Sequence, residues 1–297
     1  MATGITLSST SNLSSGQKIF IEQAMLANEP AAPNPDLIGS ERIDAGVKQW
    51  DINTYARLES AGALSEGVDL SEVQQLTTSN LSITPSEHGI IVTLSNRLIR
   101  RQGDSSVVGV AGEQAGASLR RRMDIDVIAL FSYFSKEAVG SSSQLDITHF
   151  RGAVAYLLTD NDSAFGPAPL PINASLHIEQ ISDIILDISD AGTSTSINRP
   201  AGFGDELLQN WWKGRDRLYG IGIFHSGNIT RDSSDDAKGA ILSSNALYLV
   251  IANDADVTEE TDNSLRAVEY GAFQEWGEAE RADKHGIVVN SDCEATI

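Results

Sequence analysis

The chain has 297 residues, with 41 Asp and Glu against 21 Lys and Arg, giving a formal net charge of −20. Its hydrophobic content of 41% is enough for a sizeable core, which excludes global disorder. The acidic balance excludes a protein that coats nucleic acid through a cationic face. The chain lacks a run of 18 apolar residues, a signal-peptide pattern and any cysteine besides Cys293. We therefore expect a soluble chain of intracellular origin, without a membrane partner or a disulfide framework.

Residues 1–40 are rich in Ser, Thr, Asn, Ala and Pro, and only residues 16–27 have helix-like apolar spacing. We interpret this segment as an N-terminal arm that packs on another surface and forms little core of its own. The alternative is a frayed terminus.

Residues 41–96 have the pattern of an extended hairpin. Residues 47–55 alternate in part between apolar and polar, and residues 73–83 and 89–94 are further strand candidates. The acidic, turn-prone residues 59–69 separate the first two, which predicts two long antiparallel strands joined by a wide loop. Because a two-stranded hairpin is only marginally stable alone in water, we expect another surface to cover it.

Residues 105–136 give the clearest helical signal. Apolar side chains recur there every three or four residues, at Val108, Ala111, Ala115, Leu119, Met123, Val127, Leu130 and Phe134. A helix of this length would reach roughly 45 Å. Three glycines in its first turns each cost about 1 kcal/mol relative to alanine, which favours a later start.

The remainder of the chain mixes helices and strands. Helices are predicted over residues 146–158, with Thr148 as the N-cap, and over 178–188. Strands are predicted over residues 174–177, 219–225, 246–252, 265–273 and 286–289. Because regular alternation of strand and helix is missing, the sequence favours an α+β fold over a doubly wound sheet.

The search for chemical motifs gives little. The five histidines lack metal-pair spacing, and neither a phosphate-binding glycine loop nor a nucleophile elbow is present. Residues 160–164 begin like a calcium loop but lack its later oxygen ligand and turn glycine. We therefore predict no catalytic residue, cofactor or metal site, and keep an acidic hydrolase with a carboxylate pair as an alternative.

Charge is distributed unevenly. Residues 97–122 carry a net charge of +4, and residues 232–297 carry −11. The six bases of the first segment are Arg97, Arg100, Arg101, Arg120, Arg121 and Arg122. The two segments can meet between copies of the chain, where complementary charge sets register and partner choice. They can equally pair within one subunit or remain solvated.

The order of arm, hairpin, long helix, mixed body and returning strands resembles the major capsid protein of tailed bacteriophages, the Hong Kong ninety-seven type of fold. Ser65-Glu66-Gly67 is similar to the tip of the family's extended loop. Residues 174–180 resemble its strand-to-helix junction, a valine-leucine-histidine-proline stretch followed by glutamine, with Ile178 in place of the proline. Further similar stretches are residues 217–228, 238–247, 266–270 and 280–292.

The resemblance implies a phage capsid organisation. It divides the chain into an N-terminal arm (1–40), an extended E-loop hairpin (41–96), a P-domain with the spine helix (97–148), most of the A-domain (149–255) and C-terminal strands that return to the P-domain (256–297). It implies a structural, non-enzymatic protein that forms hexamers and pentamers of an icosahedral shell. Such a shell assembles in the host cytoplasm and becomes the virion capsid.

The resemblance also implies partners. The shell would enclose double-stranded DNA without sequence-specific binding, and scaffolding, portal and decoration proteins are possible further partners. We expect the assembly contacts to include Trp50, Glu59 and Glu66 of the hairpin together with the six arginines. An encapsulin-like compartment shell on the same fold is the alternative.

Overall fold

The computed structural model describes residues 19–20, 32–44, 47–63, 66, 73–102, 104–141, 143–159, 164–189 and 217–293. Its helices are α1 (Asn34–Leu37), α2 (Asn96–Gln102), α3 (Asp104–Leu130), α4 (Ile147–Leu158) and α5 (Ile178–Ser189). Its strands are β1 (Gly39–Arg42), β2 (Trp50–Tyr55), β3 (Thr78–Ile83), β4 (Ser86–Ser95), β5 (Ile172–Leu176), β6 (Arg217–Leu218), β7 (Ile221–His225), β8 (Asp236–Ser243), β9 (Leu247–Asp262), β10 (Ala267–Glu280) and β11 (Gly286–Asp292). The predicted α+β class is confirmed.

The strands form three sheets. A four-stranded sheet has the order β1-β9-β10-β4, a five-stranded sheet the order β11-β8-β5-β7-β6, and β2 pairs with β3 alone. In the first sheet β10 is antiparallel to both β4 and β9, while β1 runs parallel to β9. The second sheet contains one parallel pair, β5 with β7. None of the helices within the described ranges is long and apolar enough to cross a membrane.

The long helix α3 covers the inner face of the four-stranded sheet. Its predicted apolar stripe is buried from Val108 to Val127 and packs with Leu94, Tyr270 and Trp276 in one core cluster. The helix begins at Asp104, so the expectation of a later start was wrong. Tertiary packing of this stripe outweighs the low helix propensity of its glycines.

A second core lies between the five-stranded sheet and the helices α4 and α5. Phe150 and Leu157 of α4 meet Ile181 and Ile184 of α5 in this cluster. The predicted helix boundaries are nearly those observed, but the N-cap of α4 is Asp146, whose carboxylate accepts the backbone N–H of His149 at 2.6 Å. Thr148 lies within the helix, so its assignment as the cap was wrong.

Several strands differ from their predicted extent. β9 and β10 have 16 and 14 residues, against seven and nine in the predicted strands, because acidic side chains on their outward positions hide the strand pattern. The strand predicted over residues 219–225 begins two residues later, at Ile221, because Tyr219 and Gly220 both have positive φ and form a turn. This turn joins the unpredicted strand β6 to β7.

Candidate assembly surfaces

The predicted hairpin is present and forms a small sheet of its own. β2 and β3 pair from Trp50 with Ile83 to Tyr55 with Thr78. Among the described residues of the hairpin, burial is confined to the base, where Ile83 packs with Ile43 and Val250. Trp50, an expected assembly contact, is half-buried against that small cluster.

The hairpin beyond its base exposes several large apolar side chains. Val73 is 91% exposed, and Tyr55, Leu58 and Leu76 are each more than half exposed. Single exposed apolar residues are ordinary. Several exposed apolar side chains on one protruding element that does not pack on the core are typical of a surface that another molecule covers.

One backbone contact joins the hairpin to the body of the same chain beyond the end of β2. The N–H of Arg57 donates to the carbonyl oxygen of Ala164 at 2.9 Å. The guanidinium of Arg57 lies over Gly166, whose positive φ suits glycine. The hairpin is therefore attached to its own subunit at the base and at this point, and it is not packed into the subunit core.

The two glutamates expected as contacts lie on the hairpin surface. Glu59 is exposed, and its backbone N–H donates to Oε1 of Gln74 at 2.8 Å, which links the two arms of the loop. Glu66 is exposed in a turn. Their role in assembly stays a prediction.

The arm packs on its own subunit where it is described. Phe20 is fully buried, and its ring stacks on Tyr270 with centroids 5.2 Å apart and planes 12° apart. Further along, Arg120 of α3 forms an ion pair with Asp36 at 2.5 Å. Of the helix predicted over residues 16–27, Ile19 and Phe20 are helical, and the remainder lies outside the described residues.

A buried carboxylate joins the arm, the long helix and the second sheet. Asp124 of α3 is fully buried and accepts the backbone N–H of Asn34 at 2.9 Å. Its other oxygen accepts the Ser226 hydroxyl and the Asn228 amide, both at 2.9 Å. Asp124 was not among the candidate residues, although Ser226 and Asn228 belong to a stretch that carried the resemblance.

A buried glutamine joins α5 to two strands of the second sheet. Oε1 of Gln180 accepts the backbone N–H of His177 at 3.0 Å. Its amide nitrogen donates to the carbonyl oxygens of Ala237 and Val289 and to the Ser291 hydroxyl, at 2.9, 3.1 and 2.9 Å. This geometry gives a physical reason for a glutamine at this position of the strand-to-helix junction.

The six arginines fall into two groups. Arg97, Arg100 and Arg101 are exposed on α2, a helix that contains no acidic residue. On α3, Arg120 pairs with Asp36 and Arg122 pairs with Asp126 at 2.8 Å. Arg121 is exposed on the same helix. Both partners lie outside the acidic segment 232–297, so these two pairs are not the pairing between the basic and acidic segments that the sequence suggested.

Four titratable groups in or beside the second sheet have shifted pKa values. Burial, with smaller contributions from Glu179 and Asp292, raises the pKa of Asp183 to about 6. Burial also raises the pKa of the Cys293 thiol to about 11, so it stays protonated at neutral pH. Burial lowers the pKa of His177 and His225. Within the described ranges, His, Cys, Asp and Glu nowhere gather in a group of three or more that could hold a metal ion.

A long helix on a four-stranded sheet, a second sheet with two helices and a protruding hairpin together define the fold of tailed-phage capsid proteins. The chain matches the head of Helicobacter pylori bacteriophage KHP40 with a TM-score of 0.67 and 11% identity, covering 90% of this chain and 92% of that one. It matches the capsid of Ralstonia phage GP4 with a TM-score of 0.67 and 13% identity, covering 88% of each chain.

A third match is the capsid of the native GTA particle, with a TM-score of 0.62 and 13% identity, covering 89% of this chain and 91% of that one. Neither a protein-family model nor a curated protein matches the sequence. The likeness therefore rests on the fold, which extends over nearly the whole of each chain.

Proposed function

We propose that this chain is a structural major capsid protein of a tailed phage. It assembles into hexamers and pentamers of an icosahedral shell that encloses double-stranded DNA. The observation that carries the proposal is the protruding hairpin, whose Leu58, Val73 and Leu76 are exposed on a fold shared with phage capsids. A neighbouring subunit that covers these side chains would remove apolar surface from water.

The predicted division of the chain gives each part a role in the proposal. The protruding part of the hairpin segment (41–96) reaches a neighbouring subunit, whereas its strand β4 and the described part of the arm (1–40) belong to the core of their own subunit. The P-domain segments (97–148 and 256–297) form the plate of the shell around α3, and residues 149–255 form most of the A-domain around the capsomer centre. Trp50 at the hairpin base and Glu59 and Glu66 near its tip are proposed contacts.

The net charge suits a container for DNA. A subunit with a net charge of −20 repels the phosphate backbone and leaves the packaged genome free to move. We propose assembly in the host cytoplasm, with the virion as the final location and with scaffolding, portal and decoration proteins as further partners. The phage and GTA capsids among the matched structures favour this role over an encapsulin-like compartment, and favour a non-enzymatic protein.

The hairpin provides the test. In a triple variant, Leu58→Asp, Val73→Asp and Leu76→Asp place charges on side chains that the subunit leaves exposed. The subunit should keep its unfolding midpoint, because these side chains contribute little to its core. Assembly, followed by sedimentation and negative-stain microscopy, should be lost. The matched control is Leu58→Met, Val73→Ile and Leu76→Met, which keeps the apolar character and should assemble.

Deletion of residues 61–69 gives an independent test of the same element. The deleted subunit should remain folded and assemble poorly. Normal particles from the deletion or from the aspartate variant would contradict the role of the hairpin. An unfolded subunit would mean that the hairpin belongs to the core of its own chain.

A further inference from the structure

The outward face of the four-stranded sheet exposes side chains on β4 and β9, among them Ile91, Thr258 and Glu260. The inward face packs on α3 through Ile90, Val92 and Tyr270. On the opposite face, the antiparallel registers of β4, β10 and β9 align three rows of residues. From the middle of the sheet toward the β9–β10 turn these rows are Gly89, Phe273 and Asp256, then Ile91, Gly271 and Thr258, and then Thr93, Glu269 and Glu260.

This face has a flat apolar floor. A Cβ atom at Gly89 would lie 2.3 Å from the ring of Phe273, and one at Gly271 would lie 2.6 Å from it. The phenyl ring therefore lies against the backbone of two strands, where only glycine leaves room for it. Ile91, beside it, is 61% exposed. Because the ring lies over the two glycines, it stays close to the backbone of the sheet and leaves a partner free to approach this face.

Carboxylates surround this floor. Asp256 and Glu260 are exposed on β9, Glu269 is half-buried on β10 beside Glu260, and Glu87 is exposed on β4. Glu260 and Glu269 are direct cross-strand neighbours, and like charges in such positions destabilise a sheet. The three rows carry no Lys or Arg, so a cationic partner would offset this repulsion.

Helix α2 of the same chain has a surface that is complementary to this face, with positive charges around an apolar side chain. Arg97, Arg100 and Arg101 are exposed on α2 around Leu98, which is 38% exposed. In the same subunit α2 lies on the opposite side of the sheet, because Ile99 packs into the core cluster between α3 and the inward face. Ile99 is therefore on the core side of α2, whereas the three arginines are exposed to solvent.

We propose that the outward face of β4, β10 and β9 binds helix α2 of a second copy of this chain. Leu98 would lie on the floor of Phe273 and Ile91, and the three arginines would pair with the surrounding carboxylates. Complementary charge of this kind fixes register and rejects wrong partners. The inference rests on the proposed function, and it assigns the α2 arginines a binding surface on a second copy.

Charge exchange tests the pairing. One variant carries Arg97→Glu, Arg100→Glu and Arg101→Glu, a second carries Glu260→Arg and Glu269→Arg, and a third combines all five. We expect each of the first two to reduce the assembled fraction by about tenfold or more, since like charges would then face each other. The combined variant should recover assembly, because complementarity is restored with its sign reversed. The assembled fraction is measured by sedimentation at fixed protein and salt concentrations.

The matched control is Arg151→Glu with Lys238→Glu, which reverses two exposed bases on α4 and β8 and should assemble normally. Unfolding midpoints equal to that of the wild type establish that each variant is folded. The pairing is overturned if either reversed variant assembles normally, or if the folded combined variant does not recover assembly. In both cases, wild-type particles would still support the capsid proposal. A wild-type chain that forms no particles defeats the capsid proposal and, with it, this inference.

Discussion

Replacing Gln180 with methionine should destabilise the subunit strongly, because this side chain makes buried hydrogen bonds to three other segments of the chain. Gln180 is fully buried, and both ends of its amide are bonded to backbone of other segments. Methionine has a similar volume, so the substitution removes hydrogen bonds without opening a large cavity. The effect therefore isolates the polar contribution of this side chain.

The expected loss in the free energy of unfolding is the cost of the polar groups that would lose Gln180 as their hydrogen-bond partner. The backbone N–H of His177 would lose its acceptor, and an orphaned buried polar group costs about 1–3 kcal/mol. The carbonyl oxygens of Ala237 and Val289 and the Ser291 hydroxyl share the two N–H hydrogens of the amide, and losing these two bonds would cost about 0.5–1.5 kcal/mol each. We expect a total loss of about 2–6 kcal/mol, a large part of the 5–15 kcal/mol typical of a folded protein.

Urea unfolding of the unassembled subunit measures this loss. The control Gln144→Met changes an exposed glutamine, and its free energy of unfolding should differ from wild type by less than about 0.5 kcal/mol. Gln180→Glu should be at least as damaging as Gln180→Met at neutral pH, because a carboxylate would face two carbonyl oxygens. An unchanged urea midpoint for Gln180→Met would refute the assignment of this glutamine as the link between α5, β8 and β11.

Two further predictions concern the arm and the acidic cluster on α5. Phe20→Ala removes a fully buried ring stacked on Tyr270 and should cost about 3–5 kcal/mol in urea unfolding, and a cost below about 1 kcal/mol would mean that the arm is not docked in solution. The pKa of Asp183 is about 6 in the folded state and near 3.8 in the unfolded chain. Its contribution to stability is therefore present at low pH and is lost as the pH rises from about 3.8 to about 6. Asp183→Asn should therefore melt at a higher temperature than wild type at pH 7 and close to it at pH 3.5, and equal melting temperatures at both pH values would contradict this.

Periodicity alone was sufficient for the largest elements. The α3 stripe follows a single spacing over many residues, and the helix was predicted near its observed position, although it ends at Leu130 and not at residue 136. The hairpin was predicted with two long strands, whereas β2 and β3 have six residues each and β3 begins at Thr78 and not at residue 73. The far ends of β9 and β10 were not predicted, because outward side chains such as Glu260 and Asp256 carry no apolar signal. The break at Tyr219 was also missed, since positive φ is rare for tyrosine and nothing in the local sequence marks it.

Polar contacts between residues far apart in the chain could not be predicted from the sequence. Asp124 bonds to Asn34 and to Ser226, which are 90 and 102 residues away, so spacing could not identify it as a junction. The same limit applied to the basic segment between residues 97 and 122. Arg120 was grouped with the α2 arginines by proximity in sequence, whereas the fold places Asp36 beside it.

Under the proposed function, the hairpin is the part of the subunit that a neighbour would complete. Its buried base is limited to a cluster centred on Ile43, Ile83 and Val250, and the Arg57 contact adds one backbone hydrogen bond. A hydrogen bond of this kind contributes about 0.5–1.5 kcal/mol. Burying the exposed side chains of Leu58, Val73 and Leu76 against a neighbour would contribute more, at about 1.5 kcal/mol or more for each side chain fully buried.

Cryo-electron microscopy of the purified, expressed chain tests the central claim most directly. The account predicts closed shells built of six-fold and five-fold capsomers, in which the β2–β3 hairpin of each subunit lies on a neighbouring subunit. A protein that remains a monomer or small oligomer, or a shell in which residues 47–83 contact only their own chain, would contradict it.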